Sequence, residues 1–389
     1  MPLTPKERVL RCINGQPVDK IPVHHIQFSA HAAKAIMGRE VLVGGAYLQW
    51  KEMEALWRGP EAHAEFEARC EEDAVALAKA CGHDILRLSY WRWPKHKKPL
   101  NKLDEYTFVF QDPGGEPYKM IYDPEQELFT CEDSTGSIPL NQEKPVTRES
   151  LLAEVLAEEA KTERYQPVKE LPQLAGMYEK YADYILKVGA GTIGINMKSV
   201  EELMAVIDWP DLYARKLMAR AKRLAMDIPA YAAAGMRATF AVLDFCSPNG
   251  PIVSPALWSQ VVVPALKVFI DACHSHGIYY FHCSDGNFWP VADAMFLEAG
   301  VDGWAEVDKS SGMDLHELRQ AYPEVTLIGN IRSQVLHHGT LQDVEREVMA
   351  CIEEAHRSGR IIIGVSNMIM PGTPAENILH MLDLIEKNR

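Results

Sequence analysis

Short apolar runs separated by helix-length segments recur at regular intervals through the second half of this 389-residue chain. Five such runs lie at residues 237–245, 277–284, 301–308, 324–331 and 360–367, and three more lie earlier, at 21–27, 83–89 and 191–197. Strands that alternate with helices are typical of parallel β/α units. Because an open doubly wound sheet more often has five or six strands, eight runs predict an α/β fold closed into a (β/α)₈ TIM barrel.

The stretch between the second and third predicted strands is too long for one crossover helix. Residues 106–122 within it are predicted to form a β-hairpin around the turn Asp112-Pro113-Gly114-Gly115, and residues 141–172 to form polar helix and linker. We therefore expect a single barrel domain over residues 1–389, with an insertion at about 95–172 that caps the barrel mouth.

Charge and cysteine usage limit the classes of partner. The chain has 54 acidic and 40 basic residues and a formal net charge of −14, which disfavours general binding to nucleic acid or to anionic membranes. It has no run of about 18 apolar residues and no apolar segment near its start, so no membrane span is expected. Its 8 cysteines are scattered without a C-x-x-C pair, which favours reduced thiols and a cytoplasmic location.

Polar side chains follow the fourth, fifth and sixth predicted strands, and barrel active sites are built at such strand ends. His282 and Asp285 lie in the segment Phe281-His282-Cys283-Ser284-Asp285-Gly286-Asn287, which combines nitrogen, sulfur and carboxylate groups. Asp244 and Cys246 follow the fourth strand, and Glu306 ends the sixth. These groups could serve acid/base chemistry or bind a metal. The alternative is an ordinary structural role in turns, helix caps and core packing.

Two arginines follow the second predicted strand within an aromatic cluster. Arg87, Tyr90 and Arg92 stand beside Trp91 and Trp93, an arrangement that could bind an anionic substrate. A structural cation–π role for these arginines is the alternative. Two amides, Asn330 and Asn367, lie at the ends of the seventh and eighth strands and complete the expected substrate-binding set.

Several motifs resemble the uroporphyrinogen decarboxylase superfamily. The N-terminal ones are Thr4-Pro5-Lys6-Glu7-Arg8-Val9, Asn14-Gly15 and Val18-Asp19-Lys20-Ile21-Pro22. The later ones include Asn249-Gly250-Pro251-Ile252-Val253-Ser254-Pro255, Ala299-Gly300-Val301-Asp302-Gly303, Gly312-Met313-Asp314-Leu315, Gly329-Asn330 and Pro371-Gly372-Thr373-Pro374-Ala375-Glu376-Asn377. The resemblance covers nearly the whole chain and independently implies the (β/α)₈ barrel.

The resemblance implies one of two chemistries: cofactor-free decarboxylation of porphyrinogen acetates, or zinc-dependent methyl transfer to or from a corrinoid protein. The decarboxylases have an arginine-rich loop after the first strand, where this chain reads Val23-His24-His25-Ile26-Gln27-Phe28. The coenzyme M methyltransferases have a His-x-Cys pair and a later Cys. His282 matches that His, while Ser284 and Asn367 stand where the two cysteines would be.

The resemblance favours a corrinoid-dependent methyltransferase that demethylates a small methylated substrate, such as an aryl methyl ether. The expected metal set is a zinc Lewis acid on His282, Asp285, Glu306 and Cys246, with His282, Asp285 and Asp244 as the catalytic groups. The expected partners are a corrinoid protein that carries the cobalamin and a small-molecule methyl donor, and the oligomeric state, a homodimer included, stays open. A decarboxylase acting on another acid is the first alternative. A non-catalytic corrinoid- or ligand-binding barrel is the second.

Overall fold

The computed structural model describes residues 2–90, 92–93, 97–133 and 145–389. The helices are α1 (Pro5–Ile13), α2 (Ala30–Met37), α3 (Ala46–Arg58), α4 (Pro60–Ala80), α5 (Arg148–Glu163), α6 (Pro172–Lys180), α7 (Val200–Asp208), α8 (Pro210–Ala233), α9 (Pro255–Val261), α10 (Val263–Ser275), α11 (Leu315–Ala321), α12 (Ser333–His338), α13 (Leu341–Ser358) and α14 (Ala375–Asn388). The strands are β1 (Gln27–Phe28), β2 (Ile85–Leu86), β3 (Asn101–Lys102), β4 (Thr107–Gln111), β5 (Pro117–Asp123), β6 (Leu128–Glu132), β7 (Ile185–Leu186), β8 (Ala238–Val242), β9 (Cys246–Ser247), β10 (Gly250–Pro251), β11 (Tyr279–Cys283), β12 (Gly303–Val307), β13 (Thr326–Gly329), β14 (Ile361–Ile362) and β15 (Met368–Ile369).

The parallel strands follow the order of a TIM-barrel type fold. Five of them pair in the order β14-β13-β12-β11-β8, and β2-β7 and β1-β15 form two further parallel pairs. Isolated backbone hydrogen bonds link these groups, from His24 N to Ile363 O (2.9 Å), from Asp84 N to Val23 O (2.9 Å) and from Phe240 N to Val188 O (3.0 Å). The strand pairing is not continuous around the ring. The structure therefore confirms the order of the barrel strands but not a closed barrel.

The third strand is not where the apolar pattern predicted it. Residues 191–197 form a loop, and the strand is β7, directly before it. Ile193 and Ile195 are buried although they lie in this loop, which explains the misleading pattern. Gly191 has φ +147°, and a Cβ on Gly194 would lie 2.0 Å from the side chain of Leu243, so the loop is glycine-dependent and irregular. The residue that follows the third strand is therefore Lys187.

Two apolar layers stabilise the barrel. The inner layer combines strand residues of the barrel with α1, which packs against them, and consists of Val9, Cys12, Ile13, Ile26, Ile85, Ile185, Ala238, Phe240, Phe281, Cys283, Ala305, Ile328 and Ile362. The outer layer lies between the strands and the helices and includes Tyr280, Trp258, Phe269 and Trp304. Because side chains alternate along a strand, membership of either layer shows which way each side chain points.

The long segment before β7 contains a four-stranded antiparallel sheet in the order β3-β4-β5-β6. The predicted hairpin is its centre, with Phe108 paired to Met120 across β4 and β5. This sheet packs on α3, where the rings of Trp50 and Tyr122 stack at 4.9 Å. Residues 134–144 lie outside the described part, and the role of the segment as a cap over the mouth stays a prediction.

No single helix among the described residues is long and apolar enough to cross a membrane. The bent pair α9 and α10 passes that test together, by length and composition only.

Candidate active site

His282 points away from the barrel interior. Its neighbour Cys283 belongs to the inner layer, whereas the His282 ring lies among outer aromatic residues, with its centroid 4.8 Å from that of Trp304 and 5.4 Å from that of Phe245. Its Nε2 lies 3.1 Å from the carbonyl oxygen of Leu243, and Nδ1 has no partner among the described residues. Burial lowers the pKa of His282 to about 4, which keeps the ring neutral.

The four predicted zinc ligands do not form one ligand set. Among the described residues, no group of three or more His, Cys, Asp or Glu side chains is arranged to hold a metal ion. His282 uses Nε2 on a backbone carbonyl on the outer side of its strand, and Cys246 is buried, with its thiol pKa raised to about 12 by burial and by the charge of Asp285. The residues present therefore do not fit the zinc centre that the resemblance implied.

Glu306 enters the barrel interior through an irregularity in its strand. The pairing of β12 with β13 shifts register between Ala305 and Val307, and Glu306 between them has φ 71°. Ala305 lies in the inner layer and Val307 in the outer one, so the irregular residue breaks the normal alternation. The charges of Arg87 and Lys187 reach the Glu306 carboxyl, although β12 pairs with neither β2 nor β7. These three groups therefore lie within electrostatic range of one another across the interior.

The environment of Glu306 favours its neutral form. Burial is the main cause and raises its pKa to about 7. The carboxylates of Asp244 and Asp285 raise the pKa further, while Lys187 and Arg87 oppose the rise. A carboxyl group that titrates near neutral pH is suited to proton transfer.

Arg87 and Lys187 are neighbours on adjacent strands. Each follows one member of the paired residues Leu86 and Leu186, on the side of Ile85 and Ile185 that faces the interior. Burial is the main cause that lowers the pKa of both cations, and the charge of Arg87 contributes to lowering that of Lys187. Arg87 was predicted from the sequence, whereas Lys187 was not, because the third strand was placed after it.

Neither cation forms a salt bridge with the described residues. The Arg87 guanidinium donates to the carbonyl oxygens of Ser89 (3.2 Å) and Ile26 (3.3 Å) and lies 4.5 Å from the ring centroid of Tyr90. The side chain of Lys187 makes no hydrogen bond or salt bridge with the described residues. Tyr90 is itself buried and serves as a platform for Arg87.

Asp244, Asp285 and Asn367 lie at the rim above these groups. Asn367 Nδ2 donates to Asp285 Oδ2 at 3.1 Å. Burial raises the pKa of Asp285, and the charge of Asp244 raises it further. Val242, which follows the inner-layer residue Phe240 by two positions, is 53% exposed, so the interior is open to solvent at this level.

Arg92 has a structural environment rather than the expected anion site. Its Nε donates to Glu52 Oε2 at 2.8 Å and its Nη2 to Glu52 Oε1 at 2.5 Å, and it also contacts Glu67 at 3.2 Å. Glu52 is fully buried and accepts a further hydrogen bond from the backbone of Trp93 at 2.7 Å. The Arg92 fork is therefore already occupied by a carboxylate of the protein. Trp91 lies outside the described residues.

Asn330 is buried behind the seventh strand. Its side-chain nitrogen donates to the carbonyl oxygen of Met313 at 3.2 Å. The structure thus brings together Arg87, Glu306, Asp244, Asp285 and Asn367 of the predicted set, and it separates Arg92, Asn330 and His282 from them.

Comparisons with known proteins agree with this architecture. The sequence model of the family Uroporphyrinogen decarboxylase (URO-D) matches residues 182–388, which is more than half of the chain. A solved structure described as a methyltransferase from Methanosarcina mazei is similar over 99% of this chain and 99% of its own, at 18% identity and a TM-score of 0.57. That likeness shows a shared fold.

Two further solved structures are more distant. Both are sugar phosphate isomerase/epimerases from Parabacteroides distasonis, at 12% and 10% identity and TM-scores of 0.32 and 0.29. They cover 60% and 54% of this chain and 90% and 74% of their own. No curated protein matches the chain. The family match confirms the resemblance found in the sequence, and the chain belongs to the uroporphyrinogen decarboxylase family.

Proposed function

We propose that this protein is a methyltransferase that moves a methyl group from a small methylated substrate, such as an aryl methyl ether, to the cobalt of a corrinoid carried by a partner protein. The observation that carries the proposal is Glu306, a carboxyl group inside the barrel whose pKa of about 7 leaves a proton available at neutral pH. The full-length likeness to a methyltransferase supports methyl transfer over the other chemistry of the family.

Glu306 supplies the proton that the reaction needs. When the bond between the methyl carbon and the ether oxygen breaks, the oxygen leaves as an alkoxide or phenoxide unless it gains a proton. Neutral Glu306 donates that proton to the leaving oxygen, and general acid catalysis of this kind contributes about 10²–10⁴-fold. The corrinoid of the partner protein would supply the nucleophile that accepts the methyl group. Arg87 and Lys187 orient the substrate below the rim.

The proposed reaction contains no step through zinc, because the residues expected to bind it are not arranged as a ligand set. Lewis-acid assistance and general-acid assistance serve the same leaving oxygen. In this chain the second is assigned to Glu306.

The test uses purified protein, free cobalamin reduced to the Co(I) state as acceptor, and a panel of methoxylated aromatic donors. Methyl transfer is followed by the absorbance change of the cobalamin. We expect turnover with the wild type and a loss of about 10²-fold or more in kcat with Glu306→Gln. The exposed residue Glu298 provides the control Glu298→Gln, which should retain activity. Wild-type turnover that Glu306→Gln leaves unchanged would refute the acid role.

Decarboxylation is the second candidate, because two adjacent cations below an acid could also bind a carboxylate and protonate the carbanion that remains after CO₂ departs. The same panel, with methoxylated aromatic carboxylic acids among its members, is assayed for CO₂ release to separate the two reactions. Release of CO₂ without change in the cobalamin spectrum would replace methyl transfer with decarboxylation. Binding without either reaction would favour a ligand-binding barrel.

A further inference from the structure

A third polar group faces the interior beside Arg87 and Lys187. His24 precedes the inner-layer residue Ile26 by two positions, and the charges of Lys187 and Arg87 act on its ring. The side chain is 1% exposed, and neither of its ring nitrogens has a hydrogen-bond partner among the described residues. Its closest ring contact is His83, with the centroids 5.1 Å apart.

An unpartnered imidazole in such a place is costly. Leaving a buried donor or acceptor without a partner costs about 1–3 kcal/mol. Burial and the neighbouring cations hold the pKa of His24 well below its usual value, so the ring is neutral and offers one N–H donor and one acceptor. A ligand that reaches this depth would supply the missing hydrogen bond.

Arg87 and Lys187 also lack a partner, in their case a negatively charged one within salt-bridge distance among the described residues. Like charges placed side by side on neighbouring strands destabilise a sheet. Nothing in the described residues offsets this by a salt bridge, and Glu306, whose pKa is about 7, neutralises them only in part at neutral pH. The chain as a whole carries a net charge of −14, so this inner cluster of unpaired cations is opposite in sign to the molecule around it. Features that cost stability and have no structural partner are typical of binding sites.

We propose that Arg87, Lys187 and His24 bind the carboxylate of the substrate, so that the methyl donor is a small methoxylated carboxylic acid rather than a neutral ether or alcohol. Arg87 donates through its planar fork, Lys187 adds a point charge, and the neutral His24 ring contributes one hydrogen bond. The naming of a methyl donor rests on the proposed function, whereas the carboxylate site itself can be tested without it.

The test measures binding by titration calorimetry in the absence of cobalamin. The probes are 3-methoxybenzoate and its neutral counterpart 3-methoxybenzamide, which have nearly the same shape. We expect the wild type to bind the acid more tightly than the amide by about tenfold or more. Lys187→Met and Arg87→Met should each remove most of that preference, and His24→Phe should weaken binding of the acid.

Controls separate binding from folding. Lys222 lies exposed on α8, so Lys222→Met removes one positive charge outside the barrel and should keep the preference. Lys187→Arg keeps the charge at the site and should retain the preference if Lys187→Met loses it through charge rather than through misfolding. Each variant is checked by urea unfolding.

Equal binding of acid and amide by the wild type, or no binding of the acid at millimolar concentration, would overturn the proposal. So would a preference that survives in both Lys187→Met and Arg87→Met. If the acid binds as expected but the cobalamin assay shows no methyl transfer, the carboxylate site stands and the proposed function fails.

Discussion

Replacing Glu306 with glutamine should stabilise the protein, and only at neutral to alkaline pH. Glutamine has nearly the shape of the protonated carboxyl group but cannot ionise. The Glu306 carboxylate is disfavoured by burial and by Asp244 and Asp285, while Lys187 and Arg87 compensate in part. The substitution removes a group whose charged form is destabilised where it lies.

The magnitude follows from the pKa in the two states. The ordinary value of 4.5 rises to about 7 in the folded protein. Between these values the folded state holds a proton that the unfolded state has lost, so stability falls as pH rises through this window. The full difference corresponds to roughly 3 kcal/mol, at about 1.4 kcal/mol per pH unit. Because Glu306 keeps some contact with solvent, we expect about 2 kcal/mol.

The assay is urea unfolding of wild type and Glu306→Gln at pH 5 and at pH 8, followed by tryptophan fluorescence. The variant should exceed the wild type only slightly at pH 5 and by about 2 kcal/mol at pH 8. Glu298→Gln, at an exposed position, should differ little at either pH. A difference for Glu306→Gln that is the same at both pH values would refute the reasoning, because the effect would then not come from ionisation.

Two further substitutions test Arg92 and His282, which were predicted as site residues but lie outside the candidate site in the structure. Arg92→Ala should lower the free energy of unfolding by about 3 kcal/mol, because it leaves the buried Glu52 carboxylate without its guanidinium partner. Its effect on binding should be the same for 3-methoxybenzoate and 3-methoxybenzamide, and a selective loss for the acid would contradict the structural role. His282→Ala should cost about 2 kcal/mol or more in urea unfolding, since it leaves a cavity among buried aromatic rings. If the variant kept its stability but lost activity, His282 would be assigned a catalytic role instead of a structural one.

The second half of the fold could be predicted from the sequence because its strands and helices alternate with clear boundaries. The five predicted strands from residue 237 onward contain β8, β11, β12, β13 and β14. The third strand was misplaced because an apolar pattern reports burial, and the buried loop residues Ile193 and Ile195 imitate a strand. The strand that was missed, β7, lies directly before this buried loop.

The site was harder to predict because it depends on which face of a strand each side chain occupies. The His282–Cys283 pair shows the difficulty, since both residues are buried and only their contacts distinguish them. Cys283 belongs to the inner layer, whereas the His282 ring packs against Trp304 of the outer layer. At Glu306 the register shift reverses the alternation, and a bulge of this kind has no reliable sequence signal. Glu306 could therefore be predicted from the sequence as a candidate site residue, but its position inside the barrel could not.

The acid and the carboxylate site should act on each other. A substrate carboxylate bound by Arg87 and Lys187 would neutralise the cations that now oppose the rise in the Glu306 pKa and would add a negative charge nearby. Binding should then raise that pKa further, so that the anionic substrate itself keeps the acid protonated for the transfer. Proton uptake on binding 3-methoxybenzoate at pH 8, measured by calorimetry in buffers of different ionisation enthalpy, tests this coupling. The uptake should disappear in Glu306→Gln, and uptake that persists in this variant would assign the proton to Lys187, whose pKa burial also lowers.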